Sequence, residues 1–246
     1  MKQFLDSGSR VPSVIRGKLS KARKRFRKVF QRNQHPNIGE ESYIDPSVQV
    51  LGWKNITIGH HSCIGQDSWI NINHREIGKI GLVIGNNCFI GRRNFFSSGN
   101  LIKIGDYCLT GIDCHFLGSD HIYASPFQPY ITTGTTNDGV IDVGVNCWLG
   151  ASVTVLKDVR IGYGSIIGSA TVVNRDIPPL SVVVGNPCRI IKRFDAQANS
   201  WVRTELYPEN GDKYLLSEIE YLENLKKSYP VIQMPLIASS KLLGDL

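Results

Sequence analysis

The sequence lacks three features that would assign it to large classes of proteins. No apolar run approaches the ~20 residues that span a bilayer, and the first ten residues, MKQFLDSGSR, lack the apolar core of a secretory signal. None of the six cysteines forms a CxxC pair, the spacing typical of zinc knuckles and redox sites. We therefore expect a cytoplasmic protein whose cysteines are buried, reduced thiols that fill space rather than a disulfide framework.

Positive charge is concentrated in the N-terminal segment. Residues 1–33 contain eleven Lys and Arg against one acid, so they carry +10, while the rest of the chain carries −3 of the net +7. Residues 11–33 are predicted to form a basic amphipathic helix that docks on the body or a partner subunit, or lies on an anionic membrane surface. No nucleic-acid motif accompanies the basic residues, so nucleic acid is not an expected partner. The predicted apolar stripe consists of Ile15, Leu19, Ala22, Phe26 and the adjacent pair Val29 and Phe30.

The stretch Val143–Pro178 repeats with a period of six residues. An aliphatic residue recurs from Val143 to Val173 at this spacing, and Gly follows at 144, 150, 162 and 168. A period of six fits neither a helix nor a single strand. It predicts a solenoid in which each short strand ends at a corner and each coil stacks on the next. We expect the glycines to provide the unusual backbone angles of the corners.

Six turns of eighteen residues can be counted along the chain, separated by gaps of 2, 8, 2, 21 and 0 residues. Insertions in a solenoid form loops, often on the functional face, so the 21-residue insertion from Ile122 to Asp142 is where we expect chemistry. The six turns begin at Ile38, Ile58, Ile84, Ile104, Val143 and Ile161.

The column is followed by a different pattern. Residues 180–194 are predicted to be extended and interrupted by Gly-Asn-Pro, and residues 213–227 to form an amphipathic helix. The sequence thus divides into a basic helical segment at 1–36, a β-helix at 37–194 and a helical extension at 195–246.

The stretch IGYGSIIGSATVVNRDIPPLSVVVGNPCRIIKRF, preceded by NCWLGASVTVLKDVRIG, resembles the hexapeptide-repeat acyltransferases, in particular their sugar O-acetyltransferase and xenobiotic acetyltransferase branch. The resemblance implies a mainly β fold, a left-handed parallel β-helix of about six coils with an extruded loop. It also implies a homotrimer with active sites between subunits and acetyl-CoA as donor. The tail IIKRFDAQANSW is similar to members found with capsule and lipopolysaccharide synthesis.

Acetyl transfer from a thioester to a hydroxyl requires a base, and neutral imidazole is the natural base near pH 7. His121 stands where the long loop leaves the column, at an outward corner position. A histidine at this position is the general base in the family that the chain resembles. His115, one hexapeptide earlier, is an alternative base on a different face, and His74 could line an acceptor groove.

The donor and acceptor residues follow from the resemblance. For acetyl-CoA the resemblance implies backbone contacts along the pantetheine arm at Ala151 and Ser169, and cationic groups at its far end. At the acceptor site the chain departs from galactoside and maltose enzymes, because Phe95 and Ser97 replace a Tyr and an Asn. Loop residues Asp120, Tyr123 and Tyr130 are expected to line that site instead. The further candidates for acetyl-CoA binding are Trp148, Asn174, Arg175, Arg189 and Lys192.

Several functions remain open from the sequence. The leading hypothesis is O-acetylation of a sugar in a surface polysaccharide such as capsule, O-antigen or exopolysaccharide, at the inner membrane face. Antibiotic O-acetylation and amino-sugar N-acetylation use the same chemistry. A zinc-dependent γ-type carbonic anhydrase shares the solenoid, but the six-residue spacing of His115 and His121 directs them to different faces. We expect no metal. A structural trimer without CoA is the last alternative.

Overall fold

The structure, a computed structural model, describes residues 37–230 and residue 232. The predicted basic helix at 11–33 and the end of the chain lie outside these residues. The described chain is mainly β: it winds as a left-handed parallel β-helix of three sheets, with one strand of each coil in each sheet. No helix in the described part is long and apolar enough to cross a membrane.

The strands are short because each side of a coil is only six residues long. Along the coils they are β1 (Tyr43–Ile44), β2 (Gln49–Leu51), β3 (Ile56–Ile58), β4 (Cys63–Ile64), β5 (Trp69–Ile72), β6 (Leu82–Ile84), β7 (Phe89–Ile90), β8 (Phe95–Ser98), β9 (Leu101–Ile104), β10 (Leu109–Thr110), β11 (His115–Leu117), β12 (Val140–Val143), β13 (Trp148–Leu149), β14 (Thr154–Leu156), β15 (Val159–Ile161), β16 (Ile166–Ile167), β17 (Val172–Val173) and β18 (Ser181–Val184).

The three sheets stack equivalent strands of successive coils. Sheet A contains β3, β6, β9, β12 and β15. Sheet B contains β1, β4, β7, β10, β13, β16 and β18, and sheet C contains β2, β5, β8, β11, β14 and β17. Within these sets every pairing is parallel. We name the edges of the column by the two sheets they join: the A/B, B/C and C/A corners.

The predicted coil starts are confirmed residue by residue. Ile38 pairs with Ile58, which in turn pairs with Ile84. The register continues through Ile104 and Val143 to Ile161. A seventh, partial coil begins where Ile161 bridges Ile177. Their side chains point inward and, from Ile58 to Ile177, are buried, so the aliphatic repeat forms the hydrophobic core along the whole column.

Glycine is required after these aliphatic residues, but for a different reason from the one predicted. The left-handed backbone conformation lies two residues further on, as in His61, Asn87 and Asn146, all with φ between 55 and 57°. Gly59 itself does not adopt it; instead, a Cβ there would lie 2.6 Å from the backbone of Gly85 in the next coil. These glycines are therefore required by the close approach of stacked coils.

A ladder of small donor side chains runs up the A/B corner. The Cys88, Cys108 and Cys147 thiols donate to the carbonyls of Gly105, Gly144 and Gly162 in the next coil, at 3.0, 3.1 and 3.3 Å. Ser hydroxyls take the same position in other coils: Ser62 donates to Gly85, and Ser165 to Pro178. All six cysteines are free and buried. The three thiols thus satisfy corner carbonyls as well as filling space.

The C-terminal part folds back onto sheet B. Strand β19 (Arg189–Asp195) pairs antiparallel with β18, and β20 (Ser200–Arg203) pairs with β19. The helix predicted over 213–227 begins later, as α1 (Glu218–Ser228), because Ser217 and Glu220 form a capping box there. The Glu218 carboxylate accepts from the Val145 amide at 2.9 Å, which docks α1 on the column. Short 3₁₀ turns lie at Trp53–Asn55, Tyr130–Thr132, Thr204–Leu206 and Gly211–Tyr214.

The outward faces of the sheets differ in character. Sheet A carries charges: Lys103 lies 3.3 Å from Asp142, which also neighbours Arg160 at 3.8 Å. Sheet B carries an apolar row made of Tyr43, Phe89, Leu109, Trp148, Ile166 and Val182. Sheet C carries aromatic side chains, of which Trp69 and Phe95 lie 4.9 Å apart between ring centres. The outward faces of sheets B and C thus carry apolar side chains whose exposure to water is unfavourable.

Candidate functional site

Both insertions that interrupt the repeat leave the column at the C/A corner. Residues 73–81 follow β5, and residues 118–139 follow β11. The two therefore lie on the same edge of the column, two coils apart, or on the order of 10 Å. Polar and aromatic side chains of sheet C lie beside them. This corner is therefore the first candidate for a functional site.

The base of the long loop is a short antiparallel ribbon that presents His121. His121 pairs with Thr135, flanked by hydrogen bonds from the Thr136 amide to the Asp120 carbonyl (2.8 Å) and from the Ile122 amide to the Gly134 carbonyl (3.2 Å). The Ser119 hydroxyl adds a bond to the Thr136 carbonyl at 2.8 Å. His121 is exposed, so its imidazole is accessible to a ligand.

The shorter insertion holds this ribbon in place. The Nε2 atom of His74 lies 3.1 Å from the carbonyl oxygen of Thr136 and 3.3 Å from Oγ1 of Thr135. From the sequence, His74 is a candidate for the lining of an acceptor groove. In the structure it contacts the two residues that face the His121 strand.

The predicted acceptor residues on sheet C, Phe95 and Ser97, lie on β8. This strand pairs with β11, which leads into the loop that carries the ribbon. The Ser97 hydroxyl accepts from the Asn73 amide at 3.0 Å, and the Asn73 side-chain oxygen accepts from Asn71 at 2.6 Å. Phe95 packs between Trp69 and His115, whose ring centre is 6.5 Å from that of Phe95. His115 is thus part of an aromatic row, on a different face from His121, as expected.

The loop residues predicted to bind the acceptor are spread along the loop. The Asp120 carboxylate lies 3.1 Å from Lys157 Nζ, and this interaction raises the pKa of the Lys157 ammonium. Tyr123 is 72% exposed and Tyr130 is 50% exposed. Tyr130 begins the 3₁₀ turn at the far end of the loop. Of the three, only Asp120 belongs to the ribbon that carries His121.

The residues predicted to bind acetyl-CoA along its pantetheine arm lie at another corner. Ala151 and Ser169 are at the B/C corner of the fifth and sixth coils, where a Cβ on Gly150 would come within 2.7 Å of the Ser169 backbone nitrogen. Ser169 and its neighbour Ala170 are exposed. The backbone between these coils is thus covered only by small side chains, which suits a narrow, linear ligand.

The other predicted donor residues surround the end of the column. Trp148, 51% exposed, lines a cleft of about 500 Å³ between sheet B and the C-terminal segment. Arg175 donates a hydrogen bond to the Cys188 carbonyl, and the Cys188 thiol approaches the side-chain oxygen of Asn174 at 3.5 Å. Arg189 and Lys192 are exposed on β19. Asn174 and Arg175 therefore have structural contacts, whereas Arg189 and Lys192 face solvent.

One copy of the chain places the proposed base and the predicted donor residues at different corners. Lys157, at the foot of the His121 loop, is six residues after Ala151, a separation of at most roughly 20 Å. The two groups lie at the C/A and B/C corners, at opposite edges of sheet C. Among the described residues, no three His, Cys, Asp or Glu side chains are grouped so that they could hold a metal ion.

Sequence reasoning missed the connection between the two insertions. The positions of the gaps contained the signal, because both follow the third hexapeptide of a coil and must leave at one corner. What the repeat could not show is that His74 and Thr135 meet across them. Asn73, which holds Ser97, was missed for the same reason.

Comparison with known proteins gives partial matches. No family model matches the chain. A Staphylococcus aureus (strain MRSA252) protein provisionally named an acetyltransferase is 46% identical over 67 residues, 27% of this chain and 34% of that protein. The galactoside O-acetyltransferase of Escherichia coli (strain K12) is 32% identical over 117 residues, 42% of this chain and 53% of that protein. The chain thus matches between about a third and about half the length of these relatives.

A solved structure has the same fold. It is a mutant of AntD, an N-acyltransferase from Bacillus cereus, in complex with dTDP-4-amino-4,6-dideoxyglucose and Coenzyme A. The TM-score is 0.55 at 17% identity, over 78% of this chain and 90% of that one. At this identity the likeness concerns the fold.

Proposed function

Since the chain belongs to the hexapeptide-repeat acyltransferase family, we propose that it transfers an acetyl group from acetyl-CoA to a sugar hydroxyl of a surface polysaccharide, with His121 as general base. The observation that carries this proposal is the exposed His121 on the ribbon at the C/A corner. The similarity to a galactoside O-acetyltransferase supports a sugar acceptor.

In the proposed reaction His121 carries one proton, in two transfers, from the acceptor hydroxyl to the departing thiolate. Its unprotonated ring nitrogen takes the proton from the acceptor hydroxyl while the oxygen attacks the thioester carbonyl. The new C–O bond forms, the C–S bond breaks, and the imidazolium returns the proton to the departing thiolate. No covalent acetyl-enzyme is needed, because base and acceptor act directly on the donor.

The proposed donor site is the groove at the B/C corner. Small side chains at Ala151 and Ser169 leave the backbone open to the pantetheine arm. The exposed cations Arg189 and Lys192 provide charge for the phosphates. Trp148 lines the cleft between sheet B and the C-terminal segment, and we propose it as an apolar wall for the donor.

We propose a homotrimer in which each site combines two copies. The base and the donor groove lie at different corners of one chain, so a neighbouring copy has to provide one of them. The apolar outward rows of sheets B and C support these faces as interfaces, whereas sheet A carries paired charges.

We further propose that the protein works in the cytoplasm at the inner membrane face, where residues 11–33 contact anionic lipid. The net +10 of residues 1–33 supports this. Removing residues 1–33 should abolish co-sedimentation with vesicles containing phosphatidylglycerol but leave the basal activity unchanged. Unchanged sedimentation would contradict the membrane proposal alone.

The experiment that tests the proposed function is thiol release from acetyl-CoA against a panel of acceptors. Capsular fragments, nucleotide sugars, amino sugars, galactosides, chloramphenicol and streptogramins cover the sugar and antibiotic alternatives. His121→Ala should lose activity by the 10²–10⁴ expected of a lost general base, while still binding acetyl-CoA by calorimetry. Full activity of this variant would refute His121 as base, and absence of acetyl-CoA binding by the native protein would refute the activity.

A further inference from the structure

We propose that Thr135 and His74 position the base: the Thr135 hydroxyl, held by the ring of His74, accepts the N–H of the His121 imidazole and so directs its other nitrogen to the acceptor. This rests on the proposed role of His121. Neither residue has to touch a substrate for the arrangement to work. The supporting observations are the pairing of the ribbon and the hydrogen bonds of His74.

The pairing fixes which side chains face each other. The bonds from Thr136 to Asp120 and from Ile122 to Gly134 enclose the pair His121 and Thr135. This is the non-hydrogen-bonded type of antiparallel pair, in which the two side chains project from the same face. Their Cβ atoms are then about 4.5–5.5 Å apart, close enough for the threonine hydroxyl to reach the imidazole.

The hydrogen bonds of His74 determine its tautomer. The Thr136 carbonyl can only accept, so the Nε2 atom of His74, 3.1 Å away, must carry a hydrogen. The same N–H lies 3.3 Å from Thr135 Oγ1, which therefore acts as a second acceptor. A hydroxyl oxygen has two lone pairs, so Thr135 keeps one of them for His121.

The base needs such a partner. An imidazole that takes a proton at one nitrogen carries N–H on the other, and a third group usually fixes which nitrogen faces the substrate. Within the described residues the His121 ring makes no hydrogen bond, and catalytic hydrogen bonds are often long until substrate binds. The Thr135 side chain lies opposite His121 on the ribbon, so its hydroxyl is the acceptor that we assign to the imidazole N–H.

The test compares Thr135→Val, which keeps the shape and removes the hydroxyl, with Thr135→Ser, which keeps the hydroxyl. Thr133→Val is the matched control, since the Thr133 hydroxyl bonds only within the loop, to the Tyr130 carbonyl at 2.9 Å. We expect T135V to lose roughly 10–100-fold in kcat, by analogy with the loss caused by removing the partner that orients a metal-ligating histidine. KM for acetyl-CoA should not change, and T135S should recover most of the activity.

The pH profile separates positioning from a general structural role. An acceptor for the His121 N–H favours the protonated ring, so T135V should change the pH profile of kcat/KM, whereas T133V should leave that profile unchanged. His74→Leu should resemble T135V, and His74→Gln, which can donate to the same oxygens, should recover activity. Agreement of T135V with T133V in both kcat and pH profile would overturn the proposal.

Different results would contradict the positioning role of Thr135 and His74 and the role of His121 as base. If His121→Ala is inactive while T135V and H74L match the native protein, the positioning role is wrong and the base stands. If His121→Ala retains activity, the base itself is wrong and the positioning role fails with it. A circular dichroism melt of each variant identifies any loss caused by unfolding.

Discussion

The carboxylate of Asp120 lies 3.1 Å from the ammonium of Lys157, so the residue next to the proposed base is tied to the corner of the following coil. This relationship gives Asp120 a second explanation beside acceptor binding. Because this ion pair is partly exposed, it contributes little to stability.

The two roles of Asp120 predict different kinetics. If Asp120 binds the acceptor, Asp120→Asn should raise KM for the acceptor several-fold while Lys157→Met changes it little. If the ion pair only steadies the ribbon, both variants should lower kcat by the same small factor, and the double variant should be no worse than either alone. Initial rates over a grid of acceptor concentrations decide between them.

Because of the donor ladder, we expect the fold to tolerate Cys108→Ser but to be destabilised by Cys108→Ala. The Cys108 thiol is buried and donates to the Gly144 carbonyl at 3.1 Å. Cys108→Ser keeps the donor and should cost under about 1 kcal/mol, whereas Cys108→Ala leaves a buried carbonyl unpaired and should cost about 1–3 kcal/mol. Urea unfolding measures both, and equal costs would show that the thiol only fills space.

Stability is expected to fall at alkaline pH. Burial raises the pKa of the Cys63 and Cys114 thiols from 9.0 to about 11. Unfolded thiols ionise near 9.0, so the unfolded state loses protons that the folded state keeps. The contribution to stability is therefore fully present below pH 9 and is lost as the pH rises towards 11, on the order of 2 kcal/mol per thiol.

Urea midpoints between pH 7.5 and pH 10.5 would measure this decline. The variant with Cys63→Ser and Cys114→Ser should show a flatter dependence, because serine does not ionise in this range. An identical slope in the variant would mean that other groups, such as Tyr163 with its pKa raised to about 12 by burial, control the alkaline limit.

The two arginines predicted at the donor site should behave differently. Arg189 is exposed on β19, whereas Arg175 donates to the Cys188 carbonyl. Arg189→Gln should raise KM for acetyl-CoA several-fold but leave KM for 3′-dephospho-acetyl-CoA unchanged, if its charge faces the 3′-phosphate. Arg175→Gln should lower thermal stability and affect both donors equally. Equal loss on both donors in Arg189→Gln would contradict its phosphate role.

A site shared between copies predicts complementation. Subunits carrying His121→Ala and subunits carrying Ala151→Trp, which blocks the donor groove, should each be inactive alone. Mixed trimers formed by refolding an equal mixture should regain about a quarter of the native activity, because random assembly pairs an intact base with an intact groove at that frequency. Continued inactivity of a mixture that forms trimers by light scattering would place base and groove on one copy.

The repeat made most of the fold predictable. Inward aliphatic residues can only stack in one register, so Ile58, Ile84, Ile104, Val143 and Ile161 identified the coil starts before any coordinates. The C-terminal segment was harder because β20 and the late start of α1 depend on docking contacts, such as that of Glu218 with Val145. Such contacts leave no periodic pattern in the sequence, so they could not be predicted from it.

The candidate site was predictable only in part. The corner that carries His121 follows from the position of the longer insertion. The contacts of His74 with Thr135 and Thr136 join residues about sixty positions apart, and no local pattern reports a meeting of two irregular loops. The role of the repeat glycines, such as Gly144, was misjudged because the repeat shows that glycine is needed but not which backbone atom a side chain would meet there, in this case the nitrogen of Tyr163.

The close contact between Gly59 and Gly85 has an evolutionary consequence. Where stacked backbones leave no room for a Cβ, the corners of the column accept few substitutions, and new specificity cannot arise by enlarging side chains there. Extra residues at the C/A corner, in contrast, leave the stack undisturbed. A protein built this way is expected to diversify its acceptors by changing the length and content of its two insertions, while the column that spaces them is inherited unchanged.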